Sequence, residues 1–175
     1  MHLSPLDCWI DVVIPVTSPL WERDVGRAFH WIGQVWADAL GDLLGPAGPA
    51  IATHRGPPSG REAGRLVCFA GLGPGEVTVG GRKVVGLSQR RWRTGVKFQC
   101  LVLPRWQPGT IGRYLDPVVL AAAGVALDSL PIGLTGLSGR EPVADRVEVA
   151  RAFVAHLPSP TPSTRRRAGI EPTAR

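Results

Sequence analysis

The stretch that decides the fold is GGRKVVGLSQRR, residues 80–91 of the 175-residue chain. Its Gly-Gly pair is typical of a tight β-turn, and the apolar run after it predicts the second strand of a hairpin. The stretch also contains Lys83, one of only two lysines among 20 basic residues. An ammonium is a compact charge that fits beside a carboxylate or a phosphate, so Lys83 is a candidate ligand-binding residue. The alternative is a solvated residue at the edge of a strand.

The segments around this stretch predict an antiparallel meander and several helices. An apolar periodicity of 3.6 residues over 25–43 predicts a long helix, which Ser18 or Asp24 caps and Gly45-Pro46 ends. Residues 45–64 are rich in glycine and proline and indicate a long surface loop. Strands are predicted at 8–14, 66–70, 76–79, 82–92 and 96–103. Further helices are predicted at 116–123 and at 141–157, the second with Ser138 as a candidate cap.

Length and composition predict one globular domain with a polar tail. The chain is 44% apolar and 19% charged, which is ordinary for a soluble domain. Together with the predicted strands and helices, this indicates an α+β fold over residues 1–157, in which an antiparallel or mixed sheet is flanked by helices. Residues 158–175 are rich in proline, serine, threonine and arginine, so we expect a disordered tail there.

The cysteines and the N-terminus predict a cytoplasmic protein. Cys8, Cys68 and Cys100 are an odd number of widely spaced cysteines in apolar contexts. This pattern predicts reduced, buried thiols and disfavours a disulfide framework or a zinc site. No apolar run approaches the roughly 20 residues of a membrane span, and the first residues do not resemble a signal peptide. We therefore expect no membrane partner and no metal held by the protein's own side chains.

Common catalytic motifs are absent from the sequence. There is no GxSxG, HExxH, CxxC or Walker loop, and the four histidines are scattered along the chain. The glycine-rich segment GLGPG at 71–75 has the composition of a phosphate-binding loop. However, it precedes a predicted strand and not a helix, so a plain turn is the preferred interpretation.

The net charge of +6 suggests an anionic partner. Arginine clusters at 90–93 and 165–167 would suit a nucleic-acid-binding module. Strand alternation, however, divides the first cluster between opposite faces, which fits an edge strand equally well. The excess of glycine, proline and arginine is also typical of a GC-rich coding sequence. Nucleic acid is therefore not the expected partner.

The segment GRKVVGLSQ at 81–89 resembles the lysine motif of the biotin/lipoate protein ligase superfamily, in its lipoate-ligase form. Two upstream segments agree, because WIDVVIP at 9–15 and PLWERDV at 19–25 are similar to the strand and helix that follow the family's glycine-rich motif. Residues 98–103 take the position of the family's next core strand. The resemblance covers about residues 3–157 and implies the class II synthetase-like catalytic fold of that superfamily.

The resemblance also implies acyl transfer in two steps. The carboxylate of lipoate, octanoate or biotin attacks the α-phosphate of ATP, with Mg as the accompanying metal, and a lysine of a carrier domain then accepts the acyl group. The carrier would be a small lipoyl- or biotinyl-type domain. By motif position, Lys83 would be the catalytic cation at the carboxyl–phosphate junction and, like Gly86 and Gln89, would bind the ligand. Gly86 would let the backbone pass close to the ligand, and Gln89 would contact its polar end.

Octanoyltransferases of the same fold use an enzyme cysteine and no ATP, which raises the question of Cys100. Its position inside an apolar strand favours a buried, inert thiol. For Lys83, the implied role predicts that Lys83→Ala abolishes acyl transfer and leaves the melting temperature nearly unchanged.

Two departures from the family pattern leave a second interpretation open. The family's RRxxGGGAV segment should precede Trp9, but the chain starts only eight residues earlier, so we expect the N-terminal part of the fold to be missing. In addition, Phe98-Gln99-Cys100 replaces the His-Gly-Thr form often seen after the lysine motif. The alternative function is therefore a catalytically incomplete remnant, or a subunit that needs a partner to complete its site.

Overall fold

The structure, a computed structural model, describes residues 7–134 and 145–159. Its strands are β1 (Cys8–Pro15), β2 (Ile51–Thr53), β3 (Val77–Val79), β4 (Arg82–Trp92) and β5 (Gly95–Val102). They form an antiparallel sheet in the order β1-β5-β4-β3-β2. The helices are α1 (Ala28–Leu44), α2 (Arg61–Leu66), α3 (Pro108–Gly112), α4 (Pro117–Ala122) and α5 (Arg146–Ala155), with 3-10 turns at Cys68–Ala70 and Leu127–Ser129. This architecture confirms the predicted α+β class.

The β3–β4 hairpin is formed by the predicted Gly-Gly turn. Gly80 and Gly81 have φ angles of 55° and 77°, which are the left-handed values that a tight two-residue hairpin turn requires. The strand register then shifts between Val77 and Thr78, so that β4 carries one extra residue next to Lys83. A bulge of this kind changes the direction of neighbouring side chains. The candidate lysine therefore lies at an irregular point of the sheet.

Helices α1 and α5 pack on one face of the sheet and form the main core. Trp36 of α1 stacks on Phe153 of α5 with their ring centroids 4.3 Å apart, and both are buried together with Phe98 of β5. Gly33 allows α1 to approach the turn before β3. A Cβ at this position would lie 2.0 Å from the carbonyl oxygen of Gly75. The absence of a side chain at Gly33 therefore fixes the distance between α1 and that turn.

The predicted strand at 66–70 is wrong. This segment ends α2 and continues as a 3-10 turn, and Val67 is its only buried residue. A short apolar run lacks the periodicity that would separate a strand from a helical segment. The place beside β3 is taken by β2, which pairs Ile51 with Val79. The predicted loop over 45–64 is therefore also wrong, at β2 and where α2 begins.

The predicted long helix is confirmed as α1, and it ends at Gly45 with a φ of 72°. Near its start, the Asp24 carboxylate accepts a hydrogen bond from the Arg27 N–H at 2.7 Å, whereas Ser18 binds the Leu20 N–H. The shorter helix α4 is also confirmed, with Asp116 as its cap. None of the helices in the described ranges combines the length and hydropathy of a membrane span.

Of the helix predicted at 141–157, the structure describes the part from residue 145 onwards as α5, and residues 141–144 lie outside the described residues. α5 starts at Arg146, where Asp145 caps it and Glu148 completes a capping box. These two carboxylates accept the backbone N–H groups at the start of α5. The predicted cap Ser138 lies outside the described residues, as do residues 160–175 of the predicted tail.

Residues 63–70 and 103–134 pack together as a smaller apolar unit next to the start of β4. Its buried centre consists of Val67, Leu130 and Ile132. This unit holds the backbone of Lys83, because the Lys83 N–H donates to the Pro131 carbonyl at 2.7 Å and the Gly133 N–H donates to the Lys83 carbonyl at 2.9 Å. On its other side Lys83 pairs with Thr78 of β3. Two neighbouring segments thus fix the main chain at the candidate lysine.

Candidate functional site

Lys83 is buried and paired, with 6% of its surface exposed. Its Nζ lies 2.6 Å from Glu76 Oε2 and donates a hydrogen bond to the Gly71 carbonyl at 2.5 Å. The Phe69 ring lies beside it, with its centroid 4.6 Å from Nζ, which is within the range of a cation–π interaction. The interpretation of Lys83 as a solvated edge residue is therefore wrong.

The partner carboxylate, Glu76, has both of its oxygens engaged. Oε2 accepts hydrogen bonds from the Gly73 N–H at 2.6 Å and from Lys83, and Oε1 accepts one from the Leu87 N–H at 3.0 Å. A buried carboxylate needs this degree of compensation, because an unpaired charge in the interior is costly. Glu76 and Lys83 thus form a buried ion pair, in which both carboxylate oxygens accept hydrogen bonds.

Glu76 was not among the residues selected from the sequence. The sequence does contain a signal, since Glu76 is the only acidic residue between Glu62 and Asp116. An isolated carboxylate in a long basic stretch is a natural counter-ion for a buried lysine. The pairing itself depends on the hairpin and its bulge, which bring two residues seven positions apart into contact.

A cleft of about 410 Å³ lies next to this pair. Its walls include Arg61 and Arg65 of α2, Cys68, and the glycine-rich segment 71–73, with Lys83 and Glu76 at one side. The sequence-based preference for a plain turn at 71–75 therefore needs a correction. Gly71 and Gly73 make a turn, but they also bind Lys83 and Glu76 and line the cleft.

The Phe69 ring packs against both Gly86 and the Lys83 ammonium. A Cβ at Gly86 would be 2.5 Å from Phe69 Cε2, so only glycine leaves room for the ring that packs on the Lys83 ammonium. This role differs from a direct approach of the backbone to a ligand. The predicted ligand contact of Gly86 stays a prediction.

Gln89 lies further along β4 and is held by the chain itself. Its Nε2 donates to the Val25 carbonyl at 2.7 Å, and its Oε1 accepts from Arg91 Nε at 2.7 Å. These bonds tie β4 to the segment before α1. Gln89 is not among the described residues that line the cleft, so the structure brings Lys83 and Gly86 together and places Gln89 apart.

The three cysteines occupy two different environments. Cys8 and Cys100 are buried, as predicted, and burial raises the pKa of the Cys100 thiol to about 12. Cys68 is exposed and lines the cleft. The prediction of a buried thiol is wrong at this position because residues 66–70 do not form the expected strand.

The cleft offers no ready ligand set for Mg. Magnesium prefers carboxylate oxygens and water, but the Glu76 carboxylate already binds two N–H groups and an ammonium. Among the described residues, no group of three His, Cys, Asp or Glu side chains could hold a metal ion. The described lining of the cleft therefore does not fit a magnesium ion bound by the chain's own carboxylates.

No protein-family profile matches the chain, and no curated protein matches it either. The fold is similar to the structure of a putative lipoate protein ligase from T. acidophilum with bound lipoic acid, with a TM-score of 0.53 and 14% identity. It is also similar to lipoate-protein ligase A bound with ATP, with a TM-score of 0.50 and 14% identity. Each alignment covers 86% of this chain and 50% of the other chain. The chain thus spans about half the length of these structural neighbours.

At 14% sequence identity, this structural similarity shows the fold. The chain has a lipoate–protein ligase-like α+β fold, in agreement with the class that the lysine motif suggested. The antiparallel sheet and its helices account for about half of the neighbours' chain, in keeping with the expectation of a partial catalytic fold.

Proposed function

We propose that this protein takes part in lipoate–protein ligase-like acyl transfer. The carboxylate of lipoate or octanoate, or of biotin, binds in the cleft next to Lys83 and is activated by ATP as an acyl-adenylate. The acyl group then passes to a lysine of a lipoyl- or biotinyl-type carrier domain. The fold similarity and the position of the lysine in the cleft wall support this proposal; nucleic acid has no role in it.

The observation that carries the proposal is the buried Lys83 ammonium beside the cleft. An ammonium has three N–H donors, and Glu76 and Gly71 accept two hydrogen bonds from it. These two partners hold the ammonium in place in the wall of the cleft. A fixed cation of this kind stabilises negative charge that develops on a carboxyl or phosphoryl oxygen, without a cost of reorganisation at the moment of reaction.

ATP fits the cleft by charge. Of the charged side chains that line it, three are cationic and one is a carboxylate. When bound, ATP would transfer its adenylyl group to the acyl carboxylate with release of pyrophosphate, and AMP would leave when the carrier lysine accepts the acyl group. The chain's own contribution is to hold the acyl carboxylate and orient it against Lys83.

The proposal is tested by supplying the full chain with octanoate or lipoate, ATP and a lipoyl domain. Wild-type protein should release pyrophosphate and acylate the lipoyl domain. The Lys83→Met/Glu76→Gln double variant removes both charges of the buried pair and should do neither. Lys97→Met is the matched control, because Lys97 is the other lysine and pairs with Asp11 on the surface. Equal activity of the double variant and the control would refute the role of Lys83.

A second candidate function is a catalytically incomplete domain or a subunit that depends on a partner. Two observations favour it. Glu76 already neutralises Lys83, and the chain spans about half the length of its structural neighbours. This candidate predicts that the chain binds a stable octanoyl-adenylate analogue but forms no adenylate from octanoate and ATP. Adenylate formation by the chain alone would exclude it.

A further inference from the structure

We propose that the open side of the cleft is a phosphate-binding site made by Arg61 and Arg65 of α2. The inference deepens the proposed function and rests on it in one respect, since the phosphate would belong to the nucleotide of that reaction. It concerns residues outside the lysine motif. Arg61 lies in the surface loop that the sequence predicted over 45–64, and Arg65 lies between that loop and the strand predicted at 66–70.

The net positive charge of the cleft comes from the two arginines of α2. Three cationic side chains and one carboxylate line the cleft. The Lys83 ammonium is 2.6 Å from the Glu76 carboxylate, and both are buried, so their charges cancel at short range. The two positive charges that remain belong to Arg61 and Arg65. An anion that enters the cleft is therefore attracted mainly by the arginines.

The two arginines are placed to act together. They are four residues apart on α2, and residues at this spacing lie on the same face of a helix about 5–6 Å apart at Cβ. Both are exposed and both contribute to the wall of the cleft. Two guanidinium groups on one face can bind separate oxygens of the same phosphate or diphosphate.

The position of α2 relative to Lys83 is fixed by close backbone contacts. A Cβ on Gly64, between the two arginines, would lie 3.1 Å from the Gly71 Cα. The carbonyl of this same Gly71 accepts the hydrogen bond from Lys83. In addition, Ser59 and Leu72 exchange two backbone hydrogen bonds at the base of the loop. The arginines and the lysine are therefore parts of one compact arrangement.

Arg61 and Arg65 differ from Arg82 and Arg91, whose side chains are held by bonds within the protein. Arg82 donates to the Gly133 and Ile132 carbonyls, and Arg91 donates to Gln89 and to the Arg23 carbonyl. Within residues 7–134 and 145–159, neither Arg61 nor Arg65 makes a side-chain hydrogen bond or ion pair. Their donors remain available to a ligand in the cleft.

The test is calorimetric titration of the full chain with inorganic pyrophosphate and, separately, with ATP. Arg61→Gln and Arg65→Gln should each weaken binding of the probe roughly tenfold, as expected for loss of a charge-assisted hydrogen bond, and should reduce its dependence on salt. Arg90→Gln is the control, because Arg90 is exposed on β4 and does not line the cleft. Melting temperatures should not change, since all three side chains are exposed.

The two probes distinguish a free phosphate from a nucleotide. Loss of affinity for both probes in the arginine variants supports the site and assigns its ligand as any diphosphate. Loss of affinity for ATP alone also supports the site and assigns its ligand as a nucleotide. Unchanged binding in Arg61→Gln and Arg65→Gln, an equal loss in Arg90→Gln, or no binding of either probe to wild-type protein would overturn it. Failure of acyl transfer with intact, arginine-dependent phosphate binding would count against the proposed function and leave this site in place. Acyl transfer that does not depend on the arginines would reject this site alone.

Discussion

Lys83 and Glu76 are buried together as an ion pair, and each charge compensates the other in the protein interior. Removing one partner of a buried ion pair leaves an uncompensated charge and costs about 3–5 kcal/mol. The side chains of Lys83 and Glu76 are 7% and 9% exposed, so this range applies here. The residue proposed to bind the ligand is thus also a structural residue.

Lys83→Met should therefore lower the free energy of unfolding by about 3–5 kcal/mol. Lys97→Met should change it by about 1 kcal/mol or less, because its pair with Asp11 is partly exposed. The Lys83→Met/Glu76→Gln variant should recover much of the loss. Urea denaturation of the three variants measures these differences. A Lys83→Met protein as stable as wild type would contradict the pairing. Lys83→Ala should also lower the melting temperature, because it removes the same ammonium, and this replaces the expectation from the sequence that its melting temperature would be nearly unchanged.

The cysteines give a second prediction for single residues. Ellman's reagent at pH 8 should label Cys68 in the native protein and all three thiols in denaturant, because Cys8 and Cys100 are buried. Rapid labelling of two or more thiols under native conditions would contradict the placement of Cys8 and Cys100. Counting released chromophore per chain is sufficient for this measurement.

Burial of Cys100 should also appear in the pH dependence of stability. Its pKa is raised from an ordinary value of 9.0 to about 12, so the native state holds the thiol proton more tightly than the unfolded state does. The stability contributed by this group is complete below pH 9 and is lost as the pH rises towards 12. Between pH 9 and 10.5, the free energy of unfolding should fall more steeply in wild type than in Cys100→Ala. Parallel profiles would show that the thiol is not desolvated.

At the scale of the elements, the backbone of α1 lies very close to the turn before β3, and a substitution in α1 can test this contact. A Cβ at Gly33 would lie 2.0 Å from the Gly75 carbonyl oxygen, whereas a Cβ at Gly41 in the same helix would meet nothing within 4 Å. Gly33→Ala should lower stability by about 1–3 kcal/mol or more, because a backbone atom cannot move aside cheaply. Gly41→Ala should raise it by about 0.5–1 kcal/mol through helix propensity. Thermal melts of the two variants should therefore move in opposite directions.

The elements that the sequence predicted correctly are those with strong local signals. The Gly80-Gly81 turn requires two left-handed residues, and α1 has a long apolar periodicity, so both could be located from local sequence. β2 and α2 have three and six residues, which is too short for a periodic pattern. Their structure is decided by what packs on them. β2 pairs with β3, and α2 packs against Gly71 through Gly64.

The same distinction explains how much of the site could be predicted. Lys83 was identified from its local motif, because the motif lies within one hairpin. Glu76, Arg61 and Arg65 join it only through the β4 bulge and the packing of α2, which are tertiary features. Gln89 belongs to the motif in sequence, but its amide is used to bind the Val25 carbonyl. Proximity in sequence therefore predicted one charged residue of the cleft and missed three.

For the whole molecule, the central claim is that this lipoate–protein ligase-like fold binds an activated acyl group in the cleft beside Lys83. The most direct measurement is calorimetric binding of a stable octanoyl-adenylate analogue to the full chain, to Lys97→Met and to the Lys83→Met/Glu76→Gln variant. Wild type and Lys97→Met should bind with the same affinity, and the double variant, shown by its cooperative melt to be folded, should bind at least tenfold more weakly. No binding to wild type, or equal binding to the folded double variant, would contradict the claim.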